Sequence, residues 1–196
     1  MSARVLLVRH GQSTWNAEGR WQGQADPPLS ALGERQALEA AGAVADLAPA
    51  RLVTSDLARA LRTAELLTPP GTDIEADDVW RERHAGEWTG LTRAEIEERF
   101  PGWFAARRSP PGFEDDDTLL ARVLPEVAAL VRDVSNVVLV ITHGGVIRTL
   151  ERHLHAPSKP VPNLGGRWFH EDGDGLALGD RDVLIDPDSV TVPDQI

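Results

Sequence analysis

The chain has 196 residues and carries 20 Lys and Arg against 31 Asp and Glu, a formal net charge of −11. That length suits one domain able to bury a substantial core, and 41% hydrophobic with 26% charged residues is the composition of a folded, soluble protein. Cysteine and tyrosine are absent, which excludes disulfides, thiolate nucleophiles, Cys-ligated zinc and phenolic nucleophiles.

Val5 to Val8 is a compact apolar run ending at Arg9-His10-Gly11 and reads as a buried parallel strand. Ser30 is suited to cap a helix running to Leu47, with Leu38, Ala41 and Val44/Ala45 on its apolar face and Pro49 beyond its end. Arg51 to Thr54 predicts a short strand, followed by a helix over Leu57–Leu67 capped by Ser55 or Asp56 and stopped by Pro69-Pro70-Gly71. Thr92-Arg93-Ala94-Glu95 is a capping box that opens a short helix ended by Pro101-Gly102. Arg107 to Asp117 reads as a mobile loop, its Glu114–Asp117 run a solvated helix entrance where negative charge suits the dipole. Leu119/Leu120, Val123/Leu124, Val127 and Leu130/Val131 then repeat at helical spacing despite Pro125. Val137 to Ile141 predicts the most apolar strand, and Val146 to Leu154 a helix after it.

This alternation predicts an α/β three-layer sandwich, a mostly parallel central sheet flanked by helices, in a single domain spanning residues 1–196. From Glu171 onward stand eight acidic residues and one arginine, an acidic segment expected to add one or two edge strands and to fray from Asp188 to Ile196. The acidic balance argues against nucleic acid or an anionic membrane as partner. No run approaches the ~20 apolar residues of a membrane span, and the N-terminal apolar run is too short for a signal peptide. The chain reads as soluble and cytoplasmic.

The chemistry gathers at two histidines. His10 and His143 each follow a predicted central strand and precede a glycine, at the sheet edge where open α/β folds bind ligands. Arg9 cannot be buried beside His10 without an anionic partner, and no acid lies near it in sequence. A bound anion accounts for it. Lys159 is the only lysine, so a phosphate-binding loop ending in Gly-Lys-Ser/Thr is excluded and phosphate recognition falls to arginines, histidines and backbone N–H groups. His153 and His155 are two apart and point to different helix faces, so they read as surface residues and not as a metal site. Trp21, Trp88 and Trp103 read as core or rim aromatics, and His84 as a structural hydrogen-bonder or a ligand contact.

Leu7-Val8-Arg9-His10-Gly11-Gln12-Ser13-Thr14-Trp15-Asn16 resembles the signature of the histidine phosphatase superfamily, the phosphoglycerate-mutase-like proteins. The resemblance continues in family order through Leu29-Ser30-Ala31-Leu32-Gly33, Thr54–Ala60, Glu82–Gly90 and Thr142-His143-Gly144-Gly145. It implies His10 as the nucleophile, Glu82 as proton donor to the leaving oxygen, and Arg9, Arg59 and His143 around the phosphate. Asn16, Gln22, Gly23 and Gly144 are implied as further substrate contacts. Arg59 is preferred to Arg62, three residues on, because it matches the motif. In-line phosphoryl transfer mainly needs positioning and charge stabilisation, which two arginines and a second histidine supply without metal or cofactor. A neutral imidazole attacks phosphorus and splits one hard step into two. A protonated carboxyl such as Glu82 then protonates the departing alkoxide, and recovers a proton from water afterwards.

Only 61 positions separate Glu82 from His143, shorter than in bisphosphoglycerate-dependent mutases and similar to the phosphatase branch. The segment Val161–Trp168 departs from the usual family pattern. The reading is a metal-independent histidine acid-type phosphomonoesterase acting on a small phosphorylated metabolite, with a homodimer left open. The alternatives are a phosphoglycerate mutase and a catalytically silent phospho-ligand-binding module. Retention of Glu82 beside His10, Arg9, Arg59 and His143 argues against silence, since binding alone does not need it.

Overall fold

The computed structural model describes residues 4–133, 136–157, 159–173 and 175–192. Six strands form one sheet: β1 (Arg4–Arg9), β2 (Arg51–Ser55), β3 (Glu75–Asp77), β4 (Val137–Thr142), β5 (Gly165–Asp172) and β6 (Gly175–Val183), in spatial order β3-β2-β4-β1-β5-β6. The β1–β4, β2–β4 and β2–β3 pairings are parallel. β5 runs antiparallel to both β1 and β6.

Alternation along the strands divides the core between two faces. Val5, Leu7, Val138, Val140 and Phe169 pack with α5 (Asp116–Asp133) and α6 (Gly144–His153) on one side. Leu6, Val8, Leu139, Ile141 and Trp168 pack with α2 (Ala31–Leu47) and α3 (Ala58–Leu67) on the other. This is the three-layer α/β sandwich expected. A third cluster stands apart from the sheet: Trp21, Ala85, Trp88 and Ile96, with Phe100, Trp103, Phe104 and Phe113 against them. It forms around α4 (Arg93–Arg99), whose Thr92/Glu95 capping box is present.

Several local expectations are corrected. In α2, Ser30 does cap, accepting from Gly33 N, but the buried face is Gly33, Gln36, Ala37, Ala40 and Val44, and Leu38 is 57% exposed. The tight approach of Gly33 to Gln12 sets this rotation, for a Cβ on Gly33 would lie 2.0 Å from the Gln12 carbonyl oxygen. The first N–H of α3 is capped neither by Asp56 nor by Ser55: Asp26, from a distant loop, accepts from Ala58 N at 2.7 Å. Ser55 Oγ accepts from Leu57 N at 3.3 Å. A one-turn helix, α1 (Thr14–Ala17), and the short β3 lie outside the sequence expectations.

The C-terminal strands begin before the acidic segment, at Gly165, and β5 is internal to the sheet. Gly166 makes this pairing feasible, since a Cβ there would lie 2.4 Å from the Leu7 carbonyl oxygen. Nor is the part of Asp188–Ile196 that is described loose. Gln36 donates to Ser189 O and Thr191 Oγ1, and Asn163 N donates to Thr191 O. Residues 193–196 of the expected fraying segment lie outside the described residues.

Candidate active site

The parallel pairing of β1 with β4 sets Arg9 opposite Thr142. The next residue of each strand is a histidine, so His10 and His143 emerge side by side, rings 5.1 Å apart and inclined at 63°. His10 N donates to Thr142 O at 3.0 Å. A carbonyl only accepts, so the 2.6 Å contact between His10 Nδ1 and Gly11 O puts the proton on Nδ1 and the lone pair on Nε2. Arg59 Nε donates towards that Nε2 at 3.3 Å. Burial, followed by the charges of Arg59 and Arg9, holds His10 well below the usual histidine range, against the opposing Gly11 hydrogen bond. The same direction holds for His143, through burial and then Arg59, His10, Arg9 and Arg122. Both rings are therefore neutral near neutral pH.

Two guanidinium groups face this pair. Arg59 is fully buried, its NH2 group donating to Gly23 O at 2.9 Å and NH1 to Ala25 O at 2.8 Å. Gly23 holds its carbonyl there with φ +52°, and a Cβ on it would lie 2.6 Å from Ala85 N. Arg9, 7% exposed, donates from NH1 to Val161 O at 2.7 Å. Burial lowers both arginines to about 10 while Glu82 pulls them back up, so both remain cationic. Arg9 Nε and His143 Nδ1 are buried with no hydrogen-bond partner among the described residues. Orphaned buried polar atoms of this kind cost about 1–3 kcal/mol each, and an anion's oxygens would satisfy them. His143 Nε2 lies 2.9 Å from Ser55 Oγ.

Glu82 closes the opposite side. Its Oε2 accepts from Gly145 N at 2.9 Å and its Oε1 from Arg83 N at 2.7 Å. Gly145 has to be glycine for this approach, since a Cβ would stand 2.1 Å from Oε1. Glu87, five residues on, is exposed and 3.9 Å from Arg99, away from the cleft.

One cleft is lined by Arg9, His10, Gln22, Gly23, Arg59, Glu82 and Gly144, among others. Seven of the nine candidate positions thus meet at one surface. His143 stands against His10 just behind it. Asn16 does not line the cleft: its side chain accepts from Ser13 N in the capping box of α1. Gln22 is held by Ser13 Oγ, which donates to its Oε1 at 2.6 Å. Arg62 is a surface residue paired with Glu34 and Glu65, and His153 and His155 are exposed. His84 is an exposed hydrogen-bonder, its Nδ1 receiving Gly86 N at 3.0 Å. Trp21 and Trp88 are buried and Trp103 partly so, as expected.

The acidic run Glu114–Asp117 is the expected helix entrance, with Asp116 and Asp117 in the first turn of α5, but it is not simply solvated: Asp116 pairs with Arg83 at 2.6 Å and Arg152 at 2.9 Å, and Glu114 pairs with Arg122 at 2.8 Å. Arg122 in turn donates to Val79 O and Glu82 O, fixing the backbone that carries Glu82.

Other supports were not expected from sequence. Asn163 Nδ2 donates to His10 O at 2.8 Å, Thr191 Oγ1 to Asn163 Oδ1 at 2.9 Å, and Gln36 Nε2 to Thr191 Oγ1 at 3.0 Å. Gln36 Oε1 accepts from Gln12 N, and Thr63 Oγ1 from Gly11 N. The His10–Gln12 backbone is thus held from α2, α3 and the chain's C-terminal segment together. Asn163 sits in the stretch that departs from the family pattern, so no motif signals it.

A histidine pair at adjacent parallel strand ends, framed by two buried arginines and one carboxylate, has the charge and hydrogen-bond donors suited to a phosphate. The chain matches the model of the histidine phosphatase superfamily (branch 1) over residues 5–165, and it belongs to that superfamily. It is 37% identical to a glucosyl-3-phosphoglycerate phosphatase of Mycolicibacterium vanbaalenii, over 93% of this chain and 90% of that protein. A probable phosphoglycerate mutase, GpmB, of Escherichia coli is 46% identical, but over only 42% of this chain and 39% of its own length. Among solved structures, a mycobacterial glucosyl-3-phosphoglycerate phosphatase in complex with VO3 superimposes with a TM-score of 0.80 at 33% identity, covering 90% of this chain and 96% of that one. No helix among the described residues is long and apolar enough to cross a membrane.

Proposed function

We propose that the chain is a metal-independent phosphatase of the histidine acid type that hydrolyses a small phosphomonoester through a phosphohistidine at His10. The observation that carries this reading is the fixed tautomer of His10, with Nδ1–H held on Gly11 O and the Nε2 lone pair set beside Arg59. In the first step Nε2 bonds to phosphorus as the ester P–O bond breaks, and protonated Glu82 gives its proton to the departing oxygen. In the second step water attacks phosphorus, Glu82 takes its proton, and the P–N bond breaks to release phosphate and neutral His10. Arg9, Arg59 and His143 share the charge on the three equatorial oxygens. The backbone at Gly144, with Gln22 and Gly23, borders the substrate, and Asn16 supports it through the Ser13 turn.

The depressed titration of His10 supports the acid-type assignment, because the nucleophile stays unprotonated below the ordinary histidine range. The near full-length match to a phosphatase, against a partial one to a mutase, supports hydrolysis over transfer. Phosphorylated metabolites are kept by their charge in the compartment that makes them, which supports a cytoplasmic enzyme, and the one six-stranded sheet with a core on each face supports a single domain. The test is release of p-nitrophenol from p-nitrophenyl phosphate in excess EDTA. The native chain should turn over, and His10→Ala should lose about 10³-fold or more. Activity that vanishes with EDTA and returns with a divalent ion, or full activity in His10→Ala, would refute the reading.

A further inference from the structure

Arg9 is steered by the connection that follows α6. Its Nη1 donates to Val161 O at 2.7 Å, the one acceptor its guanidinium meets among the described residues. Gly144 supplies the neighbouring wall, for a Cβ there would lie 3.5 Å from Arg9 Nη1. The position of the Val161 carbonyl therefore sets where this cation points. Val161 opens the stretch that departs from the family pattern, and it borders the cleft together with Pro160. Its side chain packs into the core. Pro157, Pro160 and Pro162 have no N–H to anchor the chain around it, so the approach to Val161 has to be held through carbonyls.

Arg181, on β6, takes both carbonyls that precede Val161. Its Nη2 donates to Lys159 O at 2.8 Å and its Nη1 to Pro160 O at 3.0 Å. The same guanidinium grips Glu151 of α6 at both oxygens, Nε to Oε1 at 2.8 Å and Nη2 to Oε2 at 2.6 Å. Arg167 stands opposite Arg181 in the β5–β6 register, and its Nε reaches only 3.8 Å from Glu151 Oε1, without a hydrogen bond. Glu151 is fully buried. A buried ion pair is a weak source of stability, since a well-packed apolar pair often does as well. A bidentate fork does something an apolar pair cannot: it fixes the plane of the guanidinium and so aims its remaining donors.

We infer that Arg181, oriented by Glu151, is a positioning residue for phosphoryl transfer. Through Lys159 O and Pro160 O it places Val161 O, and Val161 O places Arg9. Arg181 touches neither the substrate nor a reacting bond. The helix α6 thus fixes Arg9 twice, through Gly144 at its start and through Glu151 about two turns on. The inference rests on the phosphatase reading, in which Arg9 shares the charge of the phosphoryl oxygens.

The experiment is a double-mutant cycle between this pair and Arg9. It is read as kcat/KM for p-nitrophenyl phosphate and n-propyl phosphate, and as inhibition by inorganic phosphate. Arg181→Leu alone would strand the buried Glu151, so it is combined with Glu151→Met, which removes the carboxylate with its partner. The combined variant should melt near the native temperature. It should nevertheless lose about 10-fold or more in kcat/KM on both esters alike, because a misplacement of about 1 Å can cost about 10²-fold. Inhibition by phosphate should weaken by a similar factor. In an Arg9→Ala background the same change should cost about twofold or less, since the group it positions is gone. Arg181→Lys keeps the charge but not the fork, and should fall between native and combined variant. Native kinetics in the folded combined variant, or equal losses in both backgrounds, would overturn the inference and leave the phosphatase reading standing. If the combined variant does not fold, Arg181→Lys decides by the same rule: a loss that vanishes with Arg9→Ala supports the inference, and one that persists overturns it. No hydrolysis of either ester by the native chain would remove both readings.

Discussion

The two ends of the cleft are built by different means. At the phosphate end every group is buried and cross-braced: His10 by Gly11 O and Asn163, Arg59 by Gly23 O and Ala25 O, His143 by Ser55. Those partners come from the end of β2, the turn after β1 and the loops before α2 and β5, so the geometry is set where the strands leave the core. At the other end, Arg148 and Arg152 are half-buried on α6, and Phe113 belongs to an aromatic cluster that leans on the sheet without joining it. A phosphoryl group is the same in every ester, and the leaving group is not. Rigid burial suits the constant part of the substrate, and a partly exposed wall on a separate cluster suits the variable part.

If this division is right, damage at the phosphate end should slow every ester alike. After the loss of His10 itself, the largest effect is expected at Arg59, which touches His10 and ties down two loop carbonyls. Arg59→Ala should remove about 2–4 kcal/mol of transition-state stabilisation on alkyl and aryl phosphates equally, and Arg59→Lys should restore only part of it. Steady-state kcat/KM on both ester types checks this; a loss confined to one type would break the comparison.

Glu82 stands where the two ends meet, so its effect should depend on the leaving group. In single-turnover phosphorylation, Glu82→Gln should slow an alkyl phosphate about 10²-fold and p-nitrophenyl phosphate far less, because a phenolate leaves without protonation. Glu87→Gln, exposed beside Arg99, should be close to normal on both. The reverse pattern would exchange the roles of the two acids.

The smallest expected effect concerns stability, and it belongs to the phosphate end alone. His10 and His143 resist protonation in the folded state. The unfolded chain therefore binds more protons below the ordinary histidine value, and folding stability is lost as pH falls through about 6.5. Each ring should cost about 1 kcal/mol for the first unit below that value. Denaturant midpoints between pH 7 and 5.5 should fall in the native chain, and fall less in His143→Asn. An equal slope in the two proteins would show that His143 is not held neutral.

What the sequence made legible follows the same division. The strands ending at His10 and His143 are continuous apolar runs whose pattern survives without knowledge of their neighbours, so the sheet and the two histidines were readable together. Arg9, Arg59 and Glu82 were readable through motif resemblance. The bracing was not, because it depends on contacts between distant segments: Asp26 capping α3, Asn163 and Thr191 holding the His10 loop, Asp116 joining Arg83 to Arg152. Leu38 shows the same limit. Its apolar side chain favours the inner face of α2, but the close approach of Gly33 to Gln12 turns it outward. Glu151 was silent for another reason, since a glutamate on a helix reads as a solvated one until the arginine facing it is seen.

The most direct measurement is the covalent intermediate itself. Native enzyme mixed with a phosphate ester, quenched within one turnover in alkali and digested, should yield one phosphorylated peptide containing His10, with the label lost in acid and absent from His10→Ala. A phosphoryl group found on His143 instead, or product formed with no phosphorylated peptide at any time, would contradict the account.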